Sequence, residues 1–213
     1  LYLLSAIKKN VSKDTIVDKY QNFEELARRE REYRIEVVDR DSEVTIIAPH
    51  GGRIEPHTAE IAAHIAGDHY NLFCFHGLKS DDNHDLHVTS HRFDHPRALE
   101  MVRAAHHVIA VHGCTVIEPK VYLGGLDTEL IDQIQKELSA LRLDSEYSFK
   151  RLSGTHQLNI CNRGKSRRGV QLELSRGVRD SEALRAQVTR AVQSALEKRK
   201  NRERQGSYLS RKC

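Results

Sequence analysis

No apolar run in this 213-residue chain reaches the ~18 residues that a membrane-spanning helix needs. The opening Leu1-Tyr2-Leu3-Leu4 is too short for the core of a secretory leader. The first residue is not methionine, so a leader lost by trimming stays open. The expectation is a chain of the cytoplasm, or one released from the cell, with no membrane partner. Cysteine is scarce, at Cys74, Cys114, Cys161 and Cys213, and never in CxxC spacing. That argues against a cysteine zinc site and for buried free thiols in a reducing compartment. GxGxxG, GxxxxGK[ST], GxSxG and HExxH are all absent, which sets aside the commonest nucleotide, serine-hydrolase and zincin signatures. There is no internal repeat and no low-complexity linker. Nor is there a strong charge of one sign: 34 Lys and Arg face 30 Asp and Glu, leaving +4. Nucleic acid is therefore not an expected partner on charge alone.

What is present fits one domain with one hydrophobic core. The basic excess is uneven, gathered in Arg163 to Arg168 and from Lys198 to Lys212. Residues 1–200 are expected to form a single α/β domain, and residues 201–213 a basic, disordered tail. Periodicity predicts helices over Asn22 to Arg31, from Pro56 through Ala66, from an Asp94 cap through Ala105, from an Asp127 cap to about Leu141, and from Ser181 to about Arg202. Strands are predicted at Tyr33 to Val38 and Glu43 to Ala48, joined by a hairpin turn at Asp39 to Ser42. Further strands are predicted at Asn71 to Phe75, Leu86 to Ser90, His107 to Val111, Val116 to Leu123, His156 to Cys161 and Val170 to Leu174. Strands alternating with helices predict an α/β fold, three-layer α/β/α, with a mixed, mostly parallel sheet.

Three of these strands stop at a histidine followed by glycine, at His50, His76 and His112, and two of the stretches carry the argument. The first reads Val44-Thr45-Ile46-Ile47-Ala48-Pro49-His50-Gly51-Gly52-Arg53-Ile54-Glu55, the second His107-Val108-Ile109-Ala110-Val111-His112-Gly113. In an open α/β sheet, ligands lie outside the carboxyl ends of the strands. His50, Glu55 and His112 delivered there make an open zinc site, with three protein ligands and one position for water. The plainer reading of Glu55 is a carboxylate that favours the dipole of the following helix. Glu173 shares a strand face with Gln171, opposite Val170, Leu172 and Leu174. It either faces solvent on an edge strand or reaches the metal crevice as a general base. Arg163, after Asn162, either binds an acidic substrate through its fork or lies on the surface. His87, Thr89, Ser90 and His91 form a polar cluster that can line the cleft.

Ala48-Pro49-His50-Gly51-Gly52-Arg53-Ile54-Glu55-Pro56, Leu86-His87-Val88-Thr89-Ser90-His91-Arg92-Phe93-Asp94, Ala110-Val111-His112-Gly113, Asn159-Ile160-Cys161-Asn162-Arg163-Gly164 and Gly169-Val170-Gln171-Leu172-Glu173 stand in this order. Together they resemble the poly-γ-glutamate hydrolase family, whose best-known members come from bacteriophages. The resemblance runs from about Val44 to Arg179. It implies a zinc carboxypeptidase-like α/β fold and hydrolysis of the γ-linked amides of poly-γ-glutamate. It also implies zinc on His50, Glu55 and His112, with Glu173 as general base. Asn162 and Arg163 would be similar to the pair that zinc carboxypeptidases use for a substrate carboxylate. The spacing departs from the HxxE of those enzymes, since four residues separate His50 from Glu55. His57 and His91 also fall outside the family pattern.

The expected partner is an acidic polymer or acidic peptide, and the expected state a monomer. One rival is a zinc amidohydrolase of small N-acyl glutamates or acidic dipeptides. A rival of another class is a non-enzymatic nucleic-acid-binding module, using the tail and Lys165-Ser166-Arg167-Arg168.

Overall fold

A computed structural model describes residues 18–148 and 152–210, with side chains to residue 205. The Leu1 to Leu4 run and Cys213 lie outside the described residues. Seven strands are present: β1 (Tyr33–Val38), β2 (Val44–Gly52), β3 (Asn71–Gly77), β4 (His107–Gly113), β5 (Val121–Gly125), β6 (Ser145–Tyr147) and β7 (Val170–Leu174). They form one sheet in the order β1-β3-β2-β4-β7-β5-β6. β1 runs antiparallel to β3 and β5 antiparallel to β7, while the other neighbouring pairs are parallel. The sheet is mixed and mostly parallel, as the alternation of elements predicts.

Side-chain alternation sends each strand's residues to two cores. Ile46, Leu72, Ile109, Val111, Val170 and Leu172 pack beneath α2 (Thr58–Ala66), α4 (Thr128–Ala140) and α6 (Glu182–Ser210). Ile47, Phe73, Phe75, Val108 and Ala110 pack beneath α1 (Phe23–Arg29) and α3 (Pro96–Ala104). Helices on both faces make the three layers. On the second face Phe23 meets Phe75 edge-on, with ring centroids 5.4 Å apart. A four-residue helix, α5 (Arg176–Arg179), joins β7 to α6. α6 continues past residue 200 to Ser210, and Arg199 on it pairs with Asp127, Glu129 and Glu203. No helix among the described residues is long and apolar enough to cross a membrane.

Several expected elements form differently. β1 and β2 make no hairpin, because β1 pairs with β3 at the sheet edge. Asn71, opening β3, binds the intervening turn: its Oδ1 accepts from Arg40 N–H and its Nδ2 donates to the Ser42 carbonyl. Leu86 to Ser90 is not a strand. A 3₁₀ turn (Asn83–Leu86) leads into irregular chain. There Thr89 N–H donates to Asp18, and the Val88 carbonyl accepts from His50, so side chains replace a ladder. His156 to Cys161 likewise ends in a 3₁₀ turn (Ile160–Arg163), with Asn159 Oδ1 accepting from Cys161 N–H. β5 starts only at Val121, after Pro119, which has no N–H for a ladder. α2 begins at Thr58, past Pro56. Asp94 does not cap α3, whose N-cap is His95; it accepts from Phe23 N–H at 2.8 Å in the first turn of α1, which Asn22 caps. Asp127 caps α4 as expected, accepting from Leu130 N–H.

The end of β2 sets up everything beyond it. Its register shifts between Ala48 and Gly51. A Cβ on Gly51 would stand 2.7 Å from Ala59 Cβ, and one on Gly52, at φ +65°, 2.5 Å from the Gly77 carbonyl oxygen. Only glycine turns the chain this tightly. Glu55 N–H then returns to the His50 carbonyl at 2.9 Å. Gly52→Ala is expected to destabilise the fold by at least ~1–3 kcal/mol, read as a lower urea midpoint. An unchanged midpoint would show that the turn tolerates a side chain.

Candidate metal centre

β2, β4 and β7 lie side by side and parallel, so their carboxyl ends open on one edge. β2 brings His50, β4 brings His112, and the register sets Glu173 of β7 beside His112. The tight turn after β2 swings Glu55 back over the same edge. One Glu55 oxygen accepts the Gly113 N–H at 2.8 Å, and the other lies 3.1 Å from His50 Nδ1. Nδ1 of His112 is 3.1 Å from Nδ1 of His50 and 3.8 Å from Glu55 Oε2. Both rings are buried.

The donor chemistry tests whether a metal fits. His50 Nε2 lies 2.9 Å from the Val88 carbonyl, which only accepts. The neutral ring therefore carries its proton on Nε2 and turns Nδ1 toward Glu55, the position a metal would take. His112 Nε2 meets Ser90 Oγ at 3.3 Å, again turning Nδ1 inward. Two imidazole lone pairs and a carboxylate thus face one another, with ligand atoms within 4.8 Å. Atoms bound tetrahedrally at zinc distances stand ~3.3 Å apart, close to the 3.1 Å that separates His50 Nδ1 from both Glu55 Oε1 and His112 Nδ1; the second carboxylate oxygen, Oε2, lies 3.8 Å from His112 Nδ1. A divalent cation at this point fits the set.

The protonation equilibria show the same need for positive charge. Burial disfavours a charged His50, yet the Glu55 carboxylate, joined by the Val88 carbonyl and Asp18, outweighs burial and raises its pKa. Burial dominates at His112 and pushes it down to about 3. Burial would raise Glu55, but the histidines around it bring it down to about 2.

A cleft of about 740 Å³ opens over the triad, lined also by His87, Ser90, His156 and Glu173. β7 lies between β4 and β5, so Glu173 is on an interior strand and nearly buried, not on an edge. Burial, and then the Glu55 charge, push its pKa well above the ordinary carboxyl value. Gln171 Nε2 donates to Glu173 Oε1 at 2.9 Å, and Asn159 Nδ2 donates to Gln171 at 2.7 Å. His87 stacks on His50, with centroids 4.0 Å apart, and donates from Nδ1 to Asp18 Oδ1 at 2.6 Å. His91 faces His156 across the cleft, with centroids 4.8 Å apart.

Asn162 and Arg163 are not brought into this cleft. The 3₁₀ turn at Ile160–Arg163 points Asn162 inward, where Nδ2 donates to the Gly154 and His156 carbonyls and Oδ1 accepts from Gly169 N–H. Arg163 donates to the carbonyls of Leu158 and His91 and lines a different groove. Sequence reasoning missed Asp18, which carries no local pattern. It also missed Gln171 as the partner of Glu173, although their shared strand face is the signal that could have found it.

A family model described as poly-γ-glutamate hydrolase matches residues 20–202, and the chain belongs to this family. UPF0714 protein YndL of Bacillus subtilis is 36% identical over 171 residues, covering 77% of this chain and 66% of YndL. The match thus spans just under two thirds of that relative's length. The solved structure of a bacteriophage poly-γ-glutamate hydrolase superposes with a TM-score of 0.80 at 30% identity, covering 87% of this chain and 99% of the other. A zinc-free YndL structure gives the same TM-score and identity, covering 85% and 98%.

Asp18 anchors the loop under His87. Burial alone would raise its carboxyl pKa, but bonds from His87 and Thr89 hold it well below the usual carboxylate range. A lowered folded-state pKa contributes stability above the unfolded value of ~3.9, lost as pH falls toward the folded one. Asp18→Asn is therefore expected to flatten the fall in stability below about pH 4, read from urea midpoints across pH. Parallel profiles for the two proteins would contradict this.

Proposed function

We propose that this member of the poly-γ-glutamate hydrolase family is a zinc-dependent hydrolase of γ-glutamyl amide bonds, acting as a monomer on an acidic polymer. The observation that carries the reading is the meeting of His50, Glu55 and His112 at one strand edge, with Glu173 beside them in register. The naming of a YndL structure as zinc-free supports zinc over other divalent ions.

His50 Nδ1, His112 Nδ1 and a Glu55 oxygen would hold the metal. When bound, zinc supplies Lewis acidity that polarises an amide carbonyl and brings the pKa of water toward ~7. The Val88 carbonyl and Ser90 hydroxyl keep both rings turned so that Nδ1 faces inward. The Glu173 carboxylate takes a proton from the attacking water and returns it to the leaving nitrogen, which becomes the free amine. Gln171 orients that carboxylate. The near-buried setting of Glu173 strengthens each of these interactions by excluding bulk water.

Glu173→Gln keeps the shape of the side chain but cannot take the proton. Metal content is expected to stay at the wild-type level, while kcat on poly-γ-glutamate falls by ~10²–10⁴-fold. Turnover within tenfold of wild type would remove Glu173 from the mechanism. Chelation is expected to abolish cleavage, and added zinc to restore it; cleavage unaffected by chelator would overturn the metal-dependent reading.

A further inference from the structure

Behind the wall of the cleft lies a second groove of about 500 Å³, lined by Arg103, Leu158, Arg163, Gly164, Lys165 and Arg167. Every charged side chain in it is a cation. Arg103 comes from the last turn of α3 and the other residues from the segment before β7. The wall is thin. His156 lines the cleft, Leu158 lines the groove, and Leu158 N–H donates to His156 Nδ1 at 3.1 Å. Arg163 spans it, donating to the carbonyl of His91, another cleft residue, at 2.9 Å.

No acidic side chain lines the groove. Among the described residues, Arg103, Lys165, Arg167 and the adjacent Arg168 have no side-chain partner. Some cations elsewhere are drawn to acids, as Lys120 is to Asp144 and Glu146 and Arg199 to three carboxylates; in the groove four cations are gathered with no acid in the lining. Burial and then the nearby Arg103 lower the Arg163 pKa, against a smaller opposing pull from Asp94 outside the lining. The cluster is also pinned rather than loose. Lys165 N–H donates to the Ala105 carbonyl at 2.8 Å, Ser166 Oγ to the His106 carbonyl at 2.7 Å, and Arg167 sits at φ +56°. Like charges held close without counter-ions repel one another, so an anion bound here is favoured twice, by attraction and by relief of repulsion.

We propose that this groove is an exosite for a polycarboxylate chain, binding glutamyl α-carboxylates at a distance from the bond being cut. The inference rests on the poly-γ-glutamate reading of the cleft. An acidic polymer has one carboxylate per unit, so a chain leaving past His156 presents its charges to the groove. The lining offers no aromatic face on which a base could stack, which favours a polycarboxylate over single-stranded nucleic acid. Anchoring at the groove raises the local concentration of polymer at the cleft, so long chains are cut in preference to short ones.

The test is the full chain carrying Arg103→Ala, Lys165→Ala and Arg167→Asn together. These positions are exposed, and asparagine tolerates the left-handed backbone at 167. Binding of fluorescently labelled poly-γ-glutamate is measured in the Glu173→Gln background, and turnover with Glu173 intact. The triple variant is expected to raise Kd at least tenfold at low salt and to flatten its salt dependence. kcat/KM on long polymer should fall about as far, while kcat/KM on a γ-glutamyl tripeptide stays within twofold. A Kd within twofold of the parent would overturn the exosite. So would displacement of the polymer by single-stranded DNA of equal charge at lower concentration, which would assign the groove to nucleic acid. If wild type binds polymer through these residues but does not cut it, the exosite stands and the hydrolase reading falls. If the triple variant cuts long polymer as fast as wild type, the exosite falls and the hydrolase reading stands.

Discussion

Three electron-rich atoms, Nδ1 of His50, Nδ1 of His112 and an oxygen of Glu55, converge within 4.8 Å in a nearly dry corner of the fold. Left without positive charge between them they repel one another. The surroundings nevertheless hold them there. The Gly113 N–H fixes one carboxylate oxygen, the Val88 carbonyl fixes one ring, and Ser90 meets the other. Each contact orients a lone pair toward a common point, which is how proteins prepare a cation site before the cation arrives.

The rest of the structure answers to that point. Three parallel strands must end together, so β2, β4 and β7 occupy the middle of the sheet. Glu55 must return to the strand end it has just left, so the chain turns through Gly51 and Gly52 against the backbone of β3. The loop carrying His87, Val88 and Ser90 must lie over the site without a ladder of its own, so Asp18 ties it down through His87, Thr89 and Arg92. The strand edge supplies the candidate metal ligands, and the loops above it supply the cleft.

Much of this was readable in the chain, wherever the controlling interaction is local. Strand β4, the Asp127 cap of α4 and the His-Gly ends of β2 and β4 rest on alternation, capping and turn chemistry within a few residues. Readings failed where a distant partner decides the outcome. Leu86 to Ser90 has apolar spacing that suits a strand, yet its backbone groups bond to Asp18 and His50, far away in sequence. Asp94 has the makings of a cap for the helix that follows it, but turns instead to the first-turn N–H groups of α1, far away in sequence. Arg163 follows a predicted strand and so was expected in the cleft; a 3₁₀ turn there sends it through the wall to the far side. The family resemblance named the candidate metal ligands, but the contacts that hold them became visible only in three dimensions.

The central claim is that His50, Glu55 and His112 hold a zinc ion. The most direct measurement is metal analysis of the purified wild-type protein beside His112→Ala, each dialysed against zinc. The account predicts about one equivalent of zinc per chain in wild type and its loss in the variant. Wild-type protein that takes up no zinc, or a variant that holds as much as wild type, would contradict it.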